Sequence, residues 1–170
     1  ATTIEGLREA IDHALTYYEM IVVEEAITGR EIEVAVLGGV EPEASLPGEI
    51  VPRSEFYDYE SKYVDEDTEL AVPAELEPEQ VETVRQLACD AYRAVEGCGM
   101  ARVDFFLERG SGDWFVNELN SLPGFTDVSM YPRLWEASGV PYPRLLDRLI
   151  DLALERHRTR AALETQYRDA

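Results

Sequence analysis

Residues 101–120 read ARVDFFLERGSGDWFVNELN, the most informative segment of the chain. Two runs of alternating residues, 101–109 and 113–120, flank the turn residues Gly110-Ser111-Gly112. This arrangement predicts an antiparallel hairpin with a three-residue loop. Because side chains alternate between the two faces of a strand, one face of the second strand is predicted to carry Trp114, Val116, Glu118 and Asn120.

The register of this hairpin brings two carboxylates together. A three-residue loop places Asp104 directly opposite Glu118, and Arg102 opposite Asn120. Two acids at opposite positions repel each other, so the pair needs a compensating charge. Oxygen ligands from Asp, Glu and Asn suit Mg²⁺, which makes a divalent cation one explanation. A solvated polar face, in which Arg102 neutralises Asp104, explains the hairpin equally well.

The segment after the hairpin favours the cation. Asn120 leads into Leu122-Pro123-Gly124-Phe125-Thr126, a loop that leaves the sheet at the same end as the two acids. Loops held by the end of a rigid strand commonly carry ligand-binding residues. The hairpin and the loop together therefore predict a binding site at this end of the sheet.

The rest of the chain predicts helices and strands around the hairpin. Apolar residues at helical spacing indicate helices at 3–17, from Pro78 to the glycines at 97 and 99, near 131–138, and from Pro143 onward. β-Branched runs at 20–25 and 31–37 predict a second hairpin. Residues 38–76, rich in glycine and proline, predict an irregular region with one strand near 49–52. The predicted fold class is α+β, dominated by antiparallel strand pairs.

Composition restricts the classes of function. The chain has 170 residues, 35 acidic against 15 basic side chains, and a formal net charge of −20. This charge argues against nucleic-acid binding, which needs clustered Lys and Arg. No apolar run approaches the length of a membrane span, and the first residues lack a signal-peptide pattern. We therefore expect a soluble cytoplasmic protein that does not enter a membrane.

Three blocks of sequence resemble the D-alanine–D-alanine ligases of the ATP-grasp superfamily. They are VVEEAITGREIEVAVLG at 22–38, FYDYESKY at 56–63, and ARVDFFLE with FVNELNSLPGFTDVSMYP at 101–108 and 115–132. The resemblance implies an ATP-grasp fold, with a mainly antiparallel sheet flanked by helices. It also implies three parts: the end of the central subdomain with an adenine-hinge hairpin at 1–38, the C-terminal subdomain at 39–158 with a catalytic loop at 53–68, and a charged tail at 159–170.

The same resemblance implies residues that hold ATP and its metal ions. Adenine would be held by the hinge residues Glu24, Glu25, Ala26 and Ile27, and the ribose hydroxyls by Glu31. The magnesium ligands would be Asp104, Glu118 and Asn120, with Glu118 bridging two ions and Mn²⁺ as an acceptable substitute. For the hinge residues and Glu31, surface charge on a hairpin is the plain alternative.

Residues near the reacting groups also follow from the resemblance. Arg102 and the backbone N–H of Gly124 would stabilise the oxyanion of the acyl phosphate and of the tetrahedral intermediate. Ser129 and the backbone N–H of Met130 would hold the carboxylate of the second amino acid.

A loop over the site would complete it. Lys62, the only lysine of the chain, would meet the terminal phosphate of ATP, although a solvated loop lysine is the alternative. Tyr63 would help to close the site over the amino acids, and Tyr57 would lie near the second amino acid. Trp114 and Trp135 are expected in the core.

The implied reaction joins two D-alanines at the expense of ATP to give D-alanyl-D-alanine for peptidoglycan precursors. Family members begin with a separate domain and a glycine-rich loop that this sequence lacks. We therefore expect the chain to be the C-terminal portion of a ligase, inactive alone, and homodimeric by analogy with the family.

Two alternatives to this reaction are open. One is another ATP-grasp carboxylate–amine ligase, including a variant that uses D-lactate or D-serine as its second substrate. The other is a non-catalytic module that binds a divalent cation or a protein partner through its acidic face.

Overall fold

The computed structural model of the chain describes residues 1–51, 69–126 and 128–164. The helices in these ranges are α1 (Ile4–Ala14), α2 (Pro78–Ala94), α3 (Met130–Ala137) and α4 (Tyr142–Ala161). The strands are β1 (Gly29–Gly38), β2 (Glu43–Ala44), β3 (Gly48–Val51), β4 (Glu69–Ala71), β5 (Gly99–Glu108) and β6 (Trp114–Asn120). The predicted α+β class is confirmed.

Strand β1 lies at the centre of a six-stranded sheet. The strand order is β4-β3-β1-β5-β6, and β2 pairs with the end of β1 beyond β3. All strand pairs among the described residues are antiparallel. Strand β5 pairs along the whole of β1, from Gly29 opposite Glu108 to Gly38 opposite Gly99. The long central pair holds the site described below on one rigid surface.

The hairpin predicted from residues 20–25 and 31–37 is wrong. Residues 20–25 form no strand, and the Val22 side chain is 80% exposed. A strand needs a free edge to pair with, but both edges of β1 at Glu31 are taken, by Ile50 of β3 and Phe106 of β5. The apolar run at 20–25 therefore stays irregular, although its composition is typical of a strand.

The region at 38–76 contains more regular structure than predicted. The strand expected near 49–52 is confirmed as β3. Strands β2 and β4 were not predicted, because two and three residues are too few to show a strand period. All three strands pair within the central sheet.

The register predicted at the acids is confirmed, although the hairpin departs from the prediction in two places. Asp104 lies opposite Glu118, and Arg102 opposite Asn120. At the turn, Glu108 N donates to Asp113 O (2.9 Å), so the loop is one residue longer than expected. A bulge at residue 117 then restores the register, because position 116 pairs with 105 and position 118 with 104.

The bulge corrects one further prediction. Trp114 and Val116 pair with Leu107 and Phe105, so they face the opposite side of the sheet from Glu118. The two tryptophans expected in the core do pack there: Trp114 lies against the cluster under α2, and Trp135 is buried in α3.

Each face of the sheet buries its own apolar cluster. On one face, β1 and β5 pack against α2; the buried members include Ile32, Val34, Val36, Val103, Phe105, Leu107, Val84, Ala88 and Tyr92. On the other face, α3 and α4 cover part of the sheet; the buried members are Ala35, Leu37, Ile50, Met130, Tyr131, Leu134, Trp135 and Leu145. The remainder of this second face carries the charged residues of the site.

Tyrosines from both layers fix the end of β1. Tyr92 of α2 donates its hydroxyl to Gly38 O (2.9 Å), and Tyr131 of α3 donates to Val36 O (3.0 Å). Each phenol thus satisfies a buried polar atom while its ring fills the core. The two layers are therefore joined through the central strand.

The last helix is longer than expected. Helix α4 continues to Ala161, so the first residues of the predicted charged tail at 159–170 are helical, and positions 165–170 lie outside the described residues. Among the described helices, none is both long and apolar enough to cross a membrane.

Candidate active site

Three carboxylates form a row across the centre of the sheet. Glu33 of β1, Asp104 of β5 and Glu118 of β6 occupy directly opposed positions on neighbouring strands. Opposed residues point to the same face, which here is the face of α3 and α4. Glu33 is 1% exposed and Asp104 is 0% exposed, whereas Glu118 lies at the exposed end of the row. Burial of two acids side by side requires a nearby cation.

Arg102 supplies this positive charge from the next row. Its Nε and Nη2 donate to the two oxygens of Asp104, each at 2.7 Å, in a bidentate pair. Its Nε also lies 3.2 Å from Glu33 Oε1. The geometry is that of a strong, charge-assisted contact. Arg102 therefore holds the two buried acids together.

The ionisation of Arg102 reflects competing effects. Burial is the largest single influence and lowers the pKa of Arg102. The hydrogen bond to Asp104 and the charges of Glu33, Asp104 and Glu118 act the other way and raise the pKa above its ordinary value. The guanidinium is therefore charged at any physiological pH.

The donor set suits a hard divalent cation. The row carries three carboxylates against one guanidinium, and the predicted ligands Asp104, Glu118 and Asn120 offer only oxygen atoms. The described ranges hold no cluster of three acidic, histidine or cysteine side chains already placed around one point. Asp104 instead faces Arg102. The residues thus fit Mg²⁺ in chemistry and charge, while a ligand sphere would require Asp104 to be shared with Arg102.

Asn120 connects the acids to the loop that follows. Its Oδ1 accepts a hydrogen bond from Leu122 N (3.1 Å), a turn that redirects the chain out of the sheet. A carbonyl oxygen has a second lone pair, so this contact leaves Asn120 able to bind a cation as well. The predicted loop at the end of the hairpin is therefore anchored beside the carboxylate row.

Gly124 and Ser129 lie together within this loop. Ser129 Oγ accepts from Thr126 N (3.0 Å) and hydrogen-bonds Thr126 Oγ1 (2.8 Å). A methyl group added at Gly124 would lie 3.0 Å from Ser129 Oγ, so the glycine permits this close approach. The structure thus brings two of the predicted substrate-binding residues into contact.

Aromatic packing attaches the loop to the helices. The Phe125 ring lies 5.8 Å from that of Tyr131 and 5.4 Å from that of Tyr142, whose hydroxyl donates to Phe125 O (3.1 Å). Ser129 is the N-cap of α3. Met130 buries its side chain under the sheet, so only its backbone is placed to bind a ligand.

The other predicted residues have mixed positions. Glu31 lies two residues before Glu33 in β1 and is half-buried on the same face. The hinge residues Glu24 to Ile27 belong to no strand, and Glu24, Glu25 and Ala26 are exposed. Tyr57, Lys62 and Tyr63, with the whole loop at 53–68, lie outside the described residues.

Glu33 is a site residue that sequence reasoning misses. Its signal in the sequence is an acidic residue two positions after Glu31, in a strand whose other residues are mostly apolar. That signal becomes specific only when β1 is paired with β5, because the pairing puts Glu33 opposite Asp104. The incorrect hairpin at 20–37 paired β1 elsewhere and concealed this contact.

Comparison with known proteins identifies the family of the chain. A family model described as D-ala D-ala ligase C-terminus matches residues 1–151. The chain is 49% identical over 166 residues to the D-alanine–D-alanine ligase of Heliobacterium modesticaldum, an alignment that covers 98% of this chain and 45% of that protein.

Solved structures of the same family have a similar fold. The D-alanine–D-alanine ligase of Coxiella burnetii matches with a TM-score of 0.83 at 41% identity, over 95% of this chain and 42% of that one. The ligase of Bacillus anthracis, solved in complex with ATP, matches with a TM-score of 0.76 at 25% identity, over 93% of this chain and 49% of that one.

These matches cover nearly all of this chain, which spans less than half the length of the relatives. The family model, the shared sheet and the ordered motifs agree. The chain belongs to the D-alanine–D-alanine ligase family and has the ATP-grasp fold of its C-terminal part.

Proposed function

We propose that this chain forms the C-terminal half of an ATP-dependent ligase that joins two D-alanines into D-alanyl-D-alanine for peptidoglycan synthesis. The observation that carries the proposal is the row of Glu33, Asp104 and Glu118. Arg102 contacts the two buried acids of this row, and the strand of Glu118 leads into the loop that contains Gly124. A row of acids around one guanidinium is costly for a merely structural surface. It suits a site that handles a metal–nucleotide complex.

Two Mg²⁺ ions would be held by Asp104, Glu118 and Asn120, with Glu118 shared between them. The formal excess of negative charge in the row favours a divalent cation. When bound, Mg²⁺ neutralises the phosphate charge of ATP. In a chain of net charge −20, an anionic substrate needs such local compensation.

The chain's own residues would position and stabilise the reacting groups. The carboxylate of the first D-alanine takes the terminal phosphoryl group of ATP and releases ADP. The amine of the second D-alanine then attacks the carbonyl carbon of the acyl phosphate and displaces phosphate. Arg102, fixed through Nε and Nη2 by Asp104, would donate its remaining N–H groups to the oxyanion, together with Gly124 N.

The start of α3 would bind the second D-alanine. Ser129 Oγ and Met130 N lie at the N-terminal end of this helix, where the helix dipole favours a carboxylate. The half-buried Glu31 would accept hydrogen bonds from the ribose. The backbone of Glu25 and Ile27, with Glu24, would hold adenine.

Three residues outside the described ranges complete the proposal. Lys62 would meet the terminal phosphate, Tyr63 would help to close the site over the amino acids, and Tyr57 would lie near the second amino acid. Excluding water in this way would protect the acyl phosphate from hydrolysis.

The test is phosphate release by the complete ligase that carries this chain, with ATP, Mg²⁺ and D-alanine, either alone or with added D-serine or D-lactate. We expect release that depends on D-alanine and that falls by more than about a hundredfold in Asp104→Asn/Glu118→Gln. The control, Glu108→Gln/Asp113→Asn, removes two acids from the other end of the same hairpin and should leave the rate unchanged.

Three results would contradict the proposal. Phosphate release without an added amino acid would indicate ATP hydrolysis and not ligation. Preference for D-serine or D-lactate would assign a different second substrate. Equal rates in the double variant and its control would mean that the acids are a charged surface.

Further expectations accompany this function. We propose that the ligase is cytoplasmic and homodimeric, and that residues 1–170 alone do not catalyse ligation. We also propose that the subdomain boundary lies at residue 38. Sedimentation of the complete ligase, and phosphate release by the 170-residue chain, test these points.

A further inference from the structure

We infer that Glu33 is a positioning residue that anchors Arg102 for its role at the oxyanion. This inference rests on the proposed function and extends it to a residue with no role in the reaction as described above. The observation is the 3.2 Å contact between Arg102 Nε and Glu33 Oε1, deep in the centre of the sheet.

The burial of Glu33 argues against a purely structural role. The residue is 1% exposed in the central strand. On its face of β1, the half-buried Glu31 lies on one side, and the buried apolar Ala35 and Leu37 lie on the other. Replacing a buried ion pair by apolar residues of similar volume is often neutral or stabilising. Stability alone therefore does not require a carboxylate at this position, whereas the placement of a guanidinium does.

The strand register determines the side from which Glu33 contacts Arg102. Glu33 and Glu118 flank Asp104 on opposite neighbouring strands. Glu33 therefore draws Arg102 toward β1 and away from the strand that carries Glu118 and Asn120. This leaves the β6 side of the row to the proposed metal ligands.

The division of contacts explains why a second anchor is needed. Asp104 takes both Nε and Nη2 of Arg102, yet the same carboxylate is a proposed metal ligand. An oxygen atom shared with a cation binds a neighbouring guanidinium less strongly, because the two positive charges repel each other. Glu33 is not among the proposed metal ligands, so its contact with Arg102 does not depend on that sharing.

The experiment compares Glu33→Gln and Glu33→Asp with Glu49→Gln in the complete ligase. Glu49 forms a bidentate pair with Arg30 (2.7 and 2.6 Å) on the opposite face of the sheet, so it matches the loss of one paired acid. The measurements are kcat and KM for D-alanine, the Kd of a non-hydrolysable ATP analogue with Mg²⁺, and the crystal structure of Glu33→Gln.

We expect Glu33→Gln to lower kcat by about tenfold to a hundredfold, because the ion pair that places Arg102 loses its negative partner. The Kd of the analogue should remain close to that of the wild type. Glu33→Asp, which keeps the charge, should recover part of kcat, and Glu49→Gln should retain all of it. Arg102 should move from its position beside β1 in the crystal structure.

Other outcomes would overturn the inference. Equal kcat in Glu33→Gln and Glu49→Gln would do so, and so would a loss of analogue affinity that matches the loss of kcat. Glu33→Asp that is no more active than Glu33→Gln would show that the charge is not needed. If Glu33→Gln does not fold, Glu33→Asp is compared with the wild type. A lower kcat at normal analogue affinity supports the inference, and an unchanged kcat overturns it.

Failure of the proposed function can be distinguished from failure of the inference about Glu33. If the wild-type ligase releases no phosphate with D-alanine, that function falls. The position of Arg102 in Glu33→Gln then still decides whether Glu33 is its anchor, and an unmoved guanidinium would refute this.

Discussion

Removing Arg102 should destabilise the chain far more than removing a second arginine that makes a similar contact. Arg102 and Arg30 each form a bidentate pair with one carboxylate, at 2.7 Å for both bonds to Asp104 and at 2.7 and 2.6 Å to Glu49. The pairs differ in burial. Side-chain exposure is 14% and 0% for Arg102 and Asp104, against 31% and 14% for Arg30 and Glu49.

The magnitude follows from what each substitution leaves behind. Arg102→Ala leaves Asp104 and Glu33 buried without their shared cation, and breaking a buried pair in this way costs about 3–5 kcal/mol. Arg30→Ala leaves Glu49 partly in water and also loses one bond to Glu75 O, so about 1–2 kcal/mol is expected.

Urea unfolding of the chain, followed by tryptophan fluorescence, measures both free energies of unfolding. Equal losses in the two variants, or a loss below about 1 kcal/mol for Arg102→Ala, would refute the reasoning from burial.

Three further outcomes are expected. Gly124→Ala should displace Ser129 Oγ, since the new methyl would lie 3.0 Å from it, and so raise KM for D-alanine in the complete ligase without weakening ATP-analogue binding; Gly39→Ala, which meets no atom within 4 Å, is the control. Burial raises the pKa of Tyr92 to about 12, so the unfolded chain loses its phenolic proton first, and the free energy of unfolding should fall from about pH 10 upward by about 1.4 kcal/mol per pH unit at most. When urea unfolding is measured across this pH range, Tyr92→Phe should lack this part of the decrease in the free energy of unfolding, and an unchanged pH dependence would contradict the assignment. Thr3→Ala removes the cap of α1, an oxygen 3.1 Å from Gly6 N; because α1 buries no residue, circular dichroism should show less helix with an unchanged unfolding midpoint.

Local pattern predicted the hairpin of the site but not all of its details. The alternation of residues 101–120, with a three-residue loop, predicted Asp104 opposite Glu118, and this pairing is observed. That success depended on two departures that cancel: a longer turn and the bulge at residue 117. A bulge is set by how the two strands twist and pack, so the opposite facing of Trp114 could not be foreseen from alternation.

Long-range pairing was the step that sequence pattern could not supply. Residues 20–25 have strand composition, yet β1 pairs with β3 and β5 instead. Pattern reports a residue's preference for a pleated surface, whereas pairing depends on which edges the whole fold leaves free. The contact between Glu33 and Arg102 joins strands about 70 residues apart, and it became visible only with the sheet order.

The most direct test of the metal–nucleotide site is a crystal structure of the complete ligase with Mn²⁺ and a non-hydrolysable ATP analogue. Anomalous scattering locates Mn²⁺ without assumptions about the protein. The account predicts manganese within about 2.5 Å of oxygens of Asp104, Glu118 and Asn120, with Arg102 retained beside Glu33. Manganese bound elsewhere, with Asp104 paired only to Arg102, would contradict it.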